Sequence, residues 1–343
     1  MDLNSLKALL QSHLSDGLVI VVGSGLSAAE GIPGMGQLAT HLQGAVPANL
    51  PAHLIPEWKA VADLLASGID LESALSHTPA LTNDLEQIIV ATTYEFISGA
   101  EAKVAKEVFA GTRTLRFSRL LKHLLTPNTG IPVITTNYDR LIELAAEHAG
   151  LGVDTMFVGT HLGKLDPKGS QYSQCRDVKS QLRTFVRIYA DHIVLLKPHG
   201  SLDWAIHDGS PVRSVFTQSN CSLIITPGTK KYRGGYDPPF DSHRERANRE
   251  IDKGARYLII GYGFNDDHLQ THLEAELSRG KPAVMLARSI TPRSRTIAET
   301  CSHVTAIFES TPPGGTTVIH DRNLYDFPAT SLWDLGNLID EVF

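Results

Sequence analysis

His199 follows an apolar run, Ile193–Leu196, with Lys197-Pro198 between, and precedes Gly200-Ser201. A histidine at the end of a buried strand is either a satisfied structural residue or a general base. Its ring exchanges a proton near neutral pH, and a glycine neighbour leaves room beside it. Asn137 and Asp139 follow another apolar run in the stretch VITTNYD. One of them can cap a helix expected over Tyr138–Ala149. Two such groups at one strand end exceed what a single cap needs, which leaves the other for a ligand. Asn137 and His199 both fall where little packing should depend on them. Ser201 and Asp203 lie too close to His199 in sequence to build a nucleophilic triad, which disfavours a serine hydrolase.

The stretch VVGSGLSAAEGIPG poses a second question. Gly23, Ser24, Gly25 and Ser27, with Ala28 at the third small position, have the spacing of a turn that brings backbone amides to a pyrophosphate. A tight strand-to-helix turn packed on a sheet explains the same residues equally well. A dehydrogenase would need a second strand ending in an acid about 20 residues later. That region reads ATHLQGAVPANLPAH, with neither strand nor acid. No GxxxxGK[ST] is present, so a nucleoside triphosphatase is disfavoured too.

Other chemistry-bearing residues carry less. His268 and His272 share a helical face, but Leu269 stands where a zinc protease has glutamate, and no cysteine pair lies nearby. Lys230, Lys231 and Arg233 form a small basic cluster, more simply a solvated loop than a phosphate contact.

Short apolar runs must position these residues. Leu18–Val22, Ile131–Thr135, Ile193–Leu196, Leu223–Thr226, Tyr257–Ile260, Ala283–Ala287 and Val304–Phe308 read as buried strands. Helical patterns over Asp241–Lys253, Asp266–Arg279 and Pro292–Cys301 alternate with the later ones. The class is α/β, a doubly wound, Rossmann-like, mostly parallel sheet. The segments EWKAVADLL, DLEQIIVATTYEFI, AKVAKEVF and TLRFSRLLKHLL give a helical insertion over about residues 37–125, between the first and second strands. The core is then about 18–36 and 126–310, in a single domain spanning 1–343. Gly159–Asp177 reads as a polar loop. The terminal stretch 331–343 reads as an amphipathic helix that either closes the core or forms an interface. Ligands of such sheets bind beyond the carboxyl ends of the strands. The texts GSGLSAAEGIP, TTNYD, KPHGSLDW and GYGFNDD should therefore meet in one crevice.

The totals narrow the class. The 343 residues carry 31 basic and 37 acidic side chains, net −6, which gives no electrostatic case for nucleic-acid binding. No apolar run approaches a membrane span. The three scattered cysteines, Cys175, Cys221 and Cys301, imply neither a disulfide framework nor a structural zinc site. The N-terminal text lacks a secretory signal, so a reducing cytoplasm is the expected compartment.

Taken together, these motifs resemble the sirtuin family. Its GAGxSxxxGIP element is similar to Gly23-Ser24-Gly25-Leu26-Ser27 with Gly31-Ile32-Pro33. Its Gln-Asn-x-Asp element looks like Thr136-Asn137-Tyr138-Asp139, its His-Gly like His199-Gly200, and its late glycine loop like Gly261-Tyr262-Gly263-Phe264. The paired CxxC of protein-deacylating sirtuins is missing, and Gly34-Met35 replaces the aromatic-arginine pair after GIP. TTNYD, HGSLDW and GYGFNDDHL look more like bacterial sirtuin-like proteins that hydrolyse NAD in anti-phage defence. The resemblance implies NAD as substrate, with cleavage of its nicotinamide–ribose bond. It implies Asn137 and His199 as catalytic residues. Gly23, Ser24, Gly25, Ser27, Gly31, Ile32, Pro33, Asp139, Gly261, Gly263 and Phe264 would then bind the dinucleotide, with no metal ligand. It further implies a homo-oligomer under control of a separate subunit, such as a HerA-type ATPase or an Argonaute-like protein. An NAD-dependent protein deacylase, or a non-catalytic module that senses NAD or ADP-ribose, are the alternatives.

Overall fold

β1 (Leu18–Val22, LVIVV) has no polar face, and all five residues are buried. Strand geometry sends alternate side chains to opposite sides. Leu18, Ile20 and Val22 enter one apolar cluster, and Val19 and Val21 enter another beneath the sheet. A strand buried on both faces needs layers on both sides, and helices supply them. The computed structural model describes residues 1–77, 81–181, 184–227, 237–264 and 267–343.

Flanking β1 on one side are β2 (Ile131–Thr135), β8 (His192–Leu196) and β3 (Gly152–Asp154). On the other are β12 (Arg256–Ile260), β13 (Ala283–Ala287) and β14 (Val304–Glu309). These seven strands are parallel. β15 (Thr316–His320) and β16 (Asn323–Phe327), which have no counterpart in the sequence reading, extend the β14 edge antiparallel. The nine-stranded order is β16-β15-β14-β13-β12-β1-β2-β8-β3. The chain runs outward from β1 through β2 and β8, then resumes at β12 on β1's other side. The β1–β12 boundary is thus the switch point where a doubly wound sheet opens a crevice.

The strand expected at Leu223–Thr226 does not join this sheet. It is β11 (Ser222–Ile224), in a five-stranded antiparallel sheet with β9 (Gly200–His207), β10 (Ser210–Arg213), β5 (Gly163–Leu165) and β4 (Phe157–Val158). The cause is local. Asp208 and Gly209 both have positive φ and join β9 to β10 as a two-residue hairpin, so no crossover helix intervenes. Gly159–Asp177, expected as loop, contains β5 and the helix Pro167–Ser173, which Asp166 caps by accepting the Gly169 N–H at 2.9 Å. A further hairpin follows, β6 (Cys175–Gln181) with β7 (Thr184–Tyr189).

Between β1 and β2 the regular elements among the described residues are all helices, from Ser24–Ala29 to Arg116–Leu121. DLEQIIVATTYEFI and AKVAKEVF, separate in the sequence reading, form one helix of 27 residues, Asn83–Phe109. Gly99 alone interrupts its helix formers, and no proline does. Leu38, Leu42, Trp58, Val61, Leu85 and Ile89 give this segment its own apolar cluster. The helix expected over 331–343 begins only at Leu335, because the Asp334 carboxylate accepts the N–H groups of Gly336 and Asn337. Leu335, Leu338, Ile339 and Val342 are buried in the chain's own core, with Leu332 beside them. The interface alternative for this helix is thereby removed, since its apolar face is already covered.

At the switch point two loops touch through glycine. Gly23 N–H donates to Ile260 O at 2.9 Å, and Gly25 N–H donates to Gly261 O at 3.0 Å. A Cβ on Gly25 would lie 2.6 Å from Gly261 Cα, and one on Gly261 would lie 2.5 Å from Gly25 Cα. Gly261 also has φ +59°, a conformation that costs other residues about 1–2 kcal/mol. Gly261→Ala is therefore expected to destabilise the protein by at least about 2 kcal/mol, strain and overlap together. Urea denaturation checks this against Gly99→Ala. That glycine faces open space within a helix, so its change should stabilise by about 0.5–1 kcal/mol.

Candidate active site

One cleft opens at the carboxyl ends of β1, β2, β8 and β12, with about 1020 Å³ of space continuous with solvent. Gly23, Ser24 and Ser27 line it from the first turn, with Ile32 and Pro33 beyond. Thr136 to Asp139 line it from the end of β2, His199 from the end of β8, and Gly261 to Gly263 from the end of β12. The sequence motifs therefore meet. Gly25, Gly31 and Phe264 stand back from the cleft: Gly25 is spent on Gly261, Gly31 turns the chain at φ +94°, and Phe264 is buried against Tyr262.

Asn137 is a clip as well as a lining residue. Its Nδ2 donates to Gly23 O at 2.9 Å and to Ser27 Oγ at 2.8 Å. A carbonyl oxygen only accepts, so the amide nitrogen must face Gly23, and both its hydrogens are used. Asn137 can offer a ligand only its Oδ1, an acceptor. This corrects the expectation that little packing depends on Asn137: the residue is buried and ties the β2 end to the glycine turn.

Asp139 lies beneath it. Ser27 hydrogen-bonds its carboxylate, and Leu141 N–H donates to Oδ1 at 3.2 Å. Burial pushes the Asp139 carboxyl above the usual carboxylate range, against the pull of Lys197 and Ser27. The following helix begins at Leu141, not at the expected Tyr138. The Arg140 N–H is taken by Glu101 at 2.5 Å and the Leu141 N–H by Asp139, which holds this turn out of the helix.

His199 is half-buried. Its carbonyl accepts the Ile225 N–H at 2.9 Å, and Tyr138 Oη donates to Ile225 O at 2.6 Å. Gly200 has φ +91°, and a Cβ there would collide with the Leu223 carbonyl. The glycine after the histidine thus lets β9 and β11 close behind the ring. Ser201 and Asp203 form no triad with it: Ser201 Oγ donates to Tyr138 O at 3.4 Å, and Asp203 holds Arg213 at 2.7 Å.

A buried charge network underlies the site, and the sequence reading missed it. Lys197 Nζ donates to Asp139 O at 2.6 Å and to Tyr138 O at 3.4 Å, and pairs with Glu143 at 3.2 Å. Burial works against the Asp203 carboxylate, yet Arg213 and Lys197 outweigh it and hold its pKa below the usual range. A lysine directly after the apolar run IVLL was the available signal, because a buried ammonium requires partners. Glu72, from the helix Leu71–His77, also lines the cleft and was not among the expected residues.

His243 supports β8 from below, its Nδ1 accepting the Lys197 N–H at 3.2 Å. Burial pushes its pKa down to about 3, with Arg246 and Lys197 adding to the effect. The unfolded chain binds a proton there below about pH 6.5, and the folded chain does not until about pH 3. Stability from this group is present above pH 6.5 and is lost as pH falls toward 3, by about 1.4 kcal/mol per pH unit. Unfolding free energies of the wild type and His243→Gln, measured between pH 7 and 4, should show a slope shallower by about one proton in the variant.

His272 Nδ1 meets Asp252 at 3.0 Å. Among the described residues no three His, Cys, Asp or Glu side chains are grouped to hold a metal, and no helix is long and apolar enough to cross a membrane. Lys230, Lys231 and Arg233, and the side chain of His268, lie outside the described residues.

The fold and the cleft define a doubly wound α/β protein whose candidate site sits at the switch point of its sheet. The family model described as the SIR2-like domain matches residues 132–302, the span from β2 to the turn before β14, and over that span the chain is sirtuin-like. Among solved structures it is similar to a Sir2 homologue in complex with NAD, at 15% identity and TM-score 0.44, covering 100% of this chain and 92% of that one. It is also similar to a Sir2 homologue complex with 2′-O-acetyl ADP ribose, at 15% identity and TM-score 0.45, covering 100% and 95%. A structure described as a basis for the mechanism and regulation of Sir2 enzymes has 12% identity and TM-score 0.45, covering 98% and 96%. No curated protein sequence matches the chain.

Proposed function

We propose that this protein binds NAD in the cleft and hydrolyses its nicotinamide–ribose bond. The observation that carries the reading is the meeting of the glycine turn, Asn137, Asp139 and His199 in one cleft at the switch point. The SIR2-like match over residues 132–302 supports it. The Gly23–Ser27 turn receives the pyrophosphate. Asp139 or the Asn137 Oδ1 holds the carboxamide of the nicotinamide, and Asn137 Oδ1 also suits an attacking water, to which it offers an acceptor. The C1′–N bond breaks with its electron pair passing to the pyridine nitrogen, which becomes neutral. The ribosyl group passes through an oxocarbenium-like state, as in other glycosidic cleavages. The water oxygen bonds to C1′, and its proton goes to His199 and then to solvent. The products are nicotinamide and ADP-ribose.

The same proposal includes cytoplasmic action, a defence role through NAD depletion, a homo-oligomeric active form and a separate activator of the HerA-type or Argonaute-like kind. These rest on the resemblance of TTNYD, HGSLDW and GYGFNDDHL. Free nicotinamide released from NAD by the purified chain, with and without an acetylated peptide, tests the reading. Peptide-independent release supports it. Release only with peptide means a deacylase. NAD bound without release, by the chain alone and with the products of its neighbouring genes, means a sensor.

A further inference from the structure

Tyr138 stands between Asn137 and Asp139, at the position that the Gln-Asn-x-Asp element leaves open. Its two neighbours hold the glycine turn: Asn137 donates to Gly23 O and Ser27 Oγ, and Ser27 engages the Asp139 carboxylate. Tyr138 holds the chain around His199 instead. Its Oη donates to Ile225 O at 2.6 Å, and the Ile225 N–H donates to His199 O at 2.9 Å. Its carbonyl accepts the Leu202 N–H at 3.0 Å, and Lys197 Nζ and Ser201 Oγ at 3.4 Å each. The phenol and the carbonyl of one residue thus grip the histidine segment from both sides.

We propose that Tyr138 is a positioning residue, which sets His199 in place opposite the Asn137 amide. The inference rests on the NAD reading above and deepens it. The parallel pairing of β2 with β8 ends at Ile134 and Leu196. Two residues then separate Leu196 from His199, and the second, Pro198, has no N–H with which to extend the ladder. Gly200, at φ +91°, next turns the chain into the other sheet. The sheet register therefore stops short of His199, and Tyr138 bridges the gap from the end of β2. Any residue at 138 supplies a carbonyl; the phenol adds the hold on Ile225 and, through it, on the main chain of His199 itself. Tyr138 lines the cleft, but its hydroxyl has one proton, and that proton is committed to Ile225 O. It acts through His199 rather than as an acid of its own. A base works only within hydrogen-bond reach of the proton it takes, so a small displacement of the ring is costly.

The test is a double-mutant cycle on nicotinamide release from NAD by the full chain. Tyr138→Phe keeps the ring and the carbonyl and removes the hydroxyl. It should lower kcat about three- to tenfold, the weight of one hydrogen bond, with KM within about twofold of the wild type because the glycine turn is untouched. In a His199→Ala background, assayed at high enzyme concentration, the same substitution should change kcat by less than about twofold. A merely structural residue would lower the rate equally in both backgrounds. Additive effects, a change confined to KM, or an unchanged kcat overturn the proposal, and thermal melts of the four proteins separate these outcomes from misfolding. If the wild type releases no nicotinamide, alone or with the products of its neighbouring genes, the NAD reading itself is wrong and the inference falls with it.

Discussion

His199→Ala is expected to slow nicotinamide release from NAD by about 10²–10⁴-fold, the usual loss when a general base is removed. Its unfolding curve should be nearly unchanged. His199 lines the cleft and is half-buried, and its main-chain carbonyl, which the substitution leaves in place, accepts the Ile225 N–H. Asn137→Ala makes the contrast. It should also lose activity, but with a fall in stability, because two hydrogen bonds to the glycine turn go with it. Stopped nicotinamide assays and thermal melts on the same preparations check both. A soluble His199→Ala protein with near-normal turnover would remove histidine from the chemistry.

Lys197→Met should cost about 3–5 kcal/mol of stability, the penalty for leaving buried charge uncompensated. Glu143 and Asp203 would lose their shared cation, and the carbonyls of Tyr138 and Asp139 a donor. Burial already pushes the Glu143 carboxyl upward against the pull of Lys197, so without the lysine it would take up a proton more readily. Adding Glu143→Leu should recover part of the loss, because the pair of charges is then replaced by apolar groups. Urea midpoints of the single and double variants give the coupling. Full additivity would show that the network is not a unit.

Six of the seven parallel strands were legible because burial on both faces leaves an unbroken apolar run, as in LVIVV and HIVLL; β3, three residues at the sheet edge, was not. The antiparallel sheet was not. Its strands are short and mix polar with apolar residues, as in GSLDWAIH and SPVR, and its position depends on a hairpin at Asp208-Gly209. Of the candidate site, the residue types at each strand end could be read, since ligands gather there. What each atom does could not. The Asn137 amide is committed to Gly23 O, which lies 114 residues away in sequence, and Lys197 finds Glu143 at a separation of 54. Such pairings are created by the sheet order and leave no local spacing to detect. Glu72 was hidden for the same reason, since nothing in DLESALSH says which wall its helix completes.

The glycine contact between the β1 and β12 loops has a mechanical consequence. Gly25 and Gly261 meet backbone to backbone, with no side chain between them to rotate or compress, and hydrogen bonds at Gly23 and Gly25 pin the seam. That side of the cleft behaves as an anvil. The opposite wall is built differently: Leu38 and the helix that carries Glu72 pack in the segment's own apolar cluster, while Ile97 belongs to the main core. A ligand in the cleft would therefore be gauged against a fixed edge on that side.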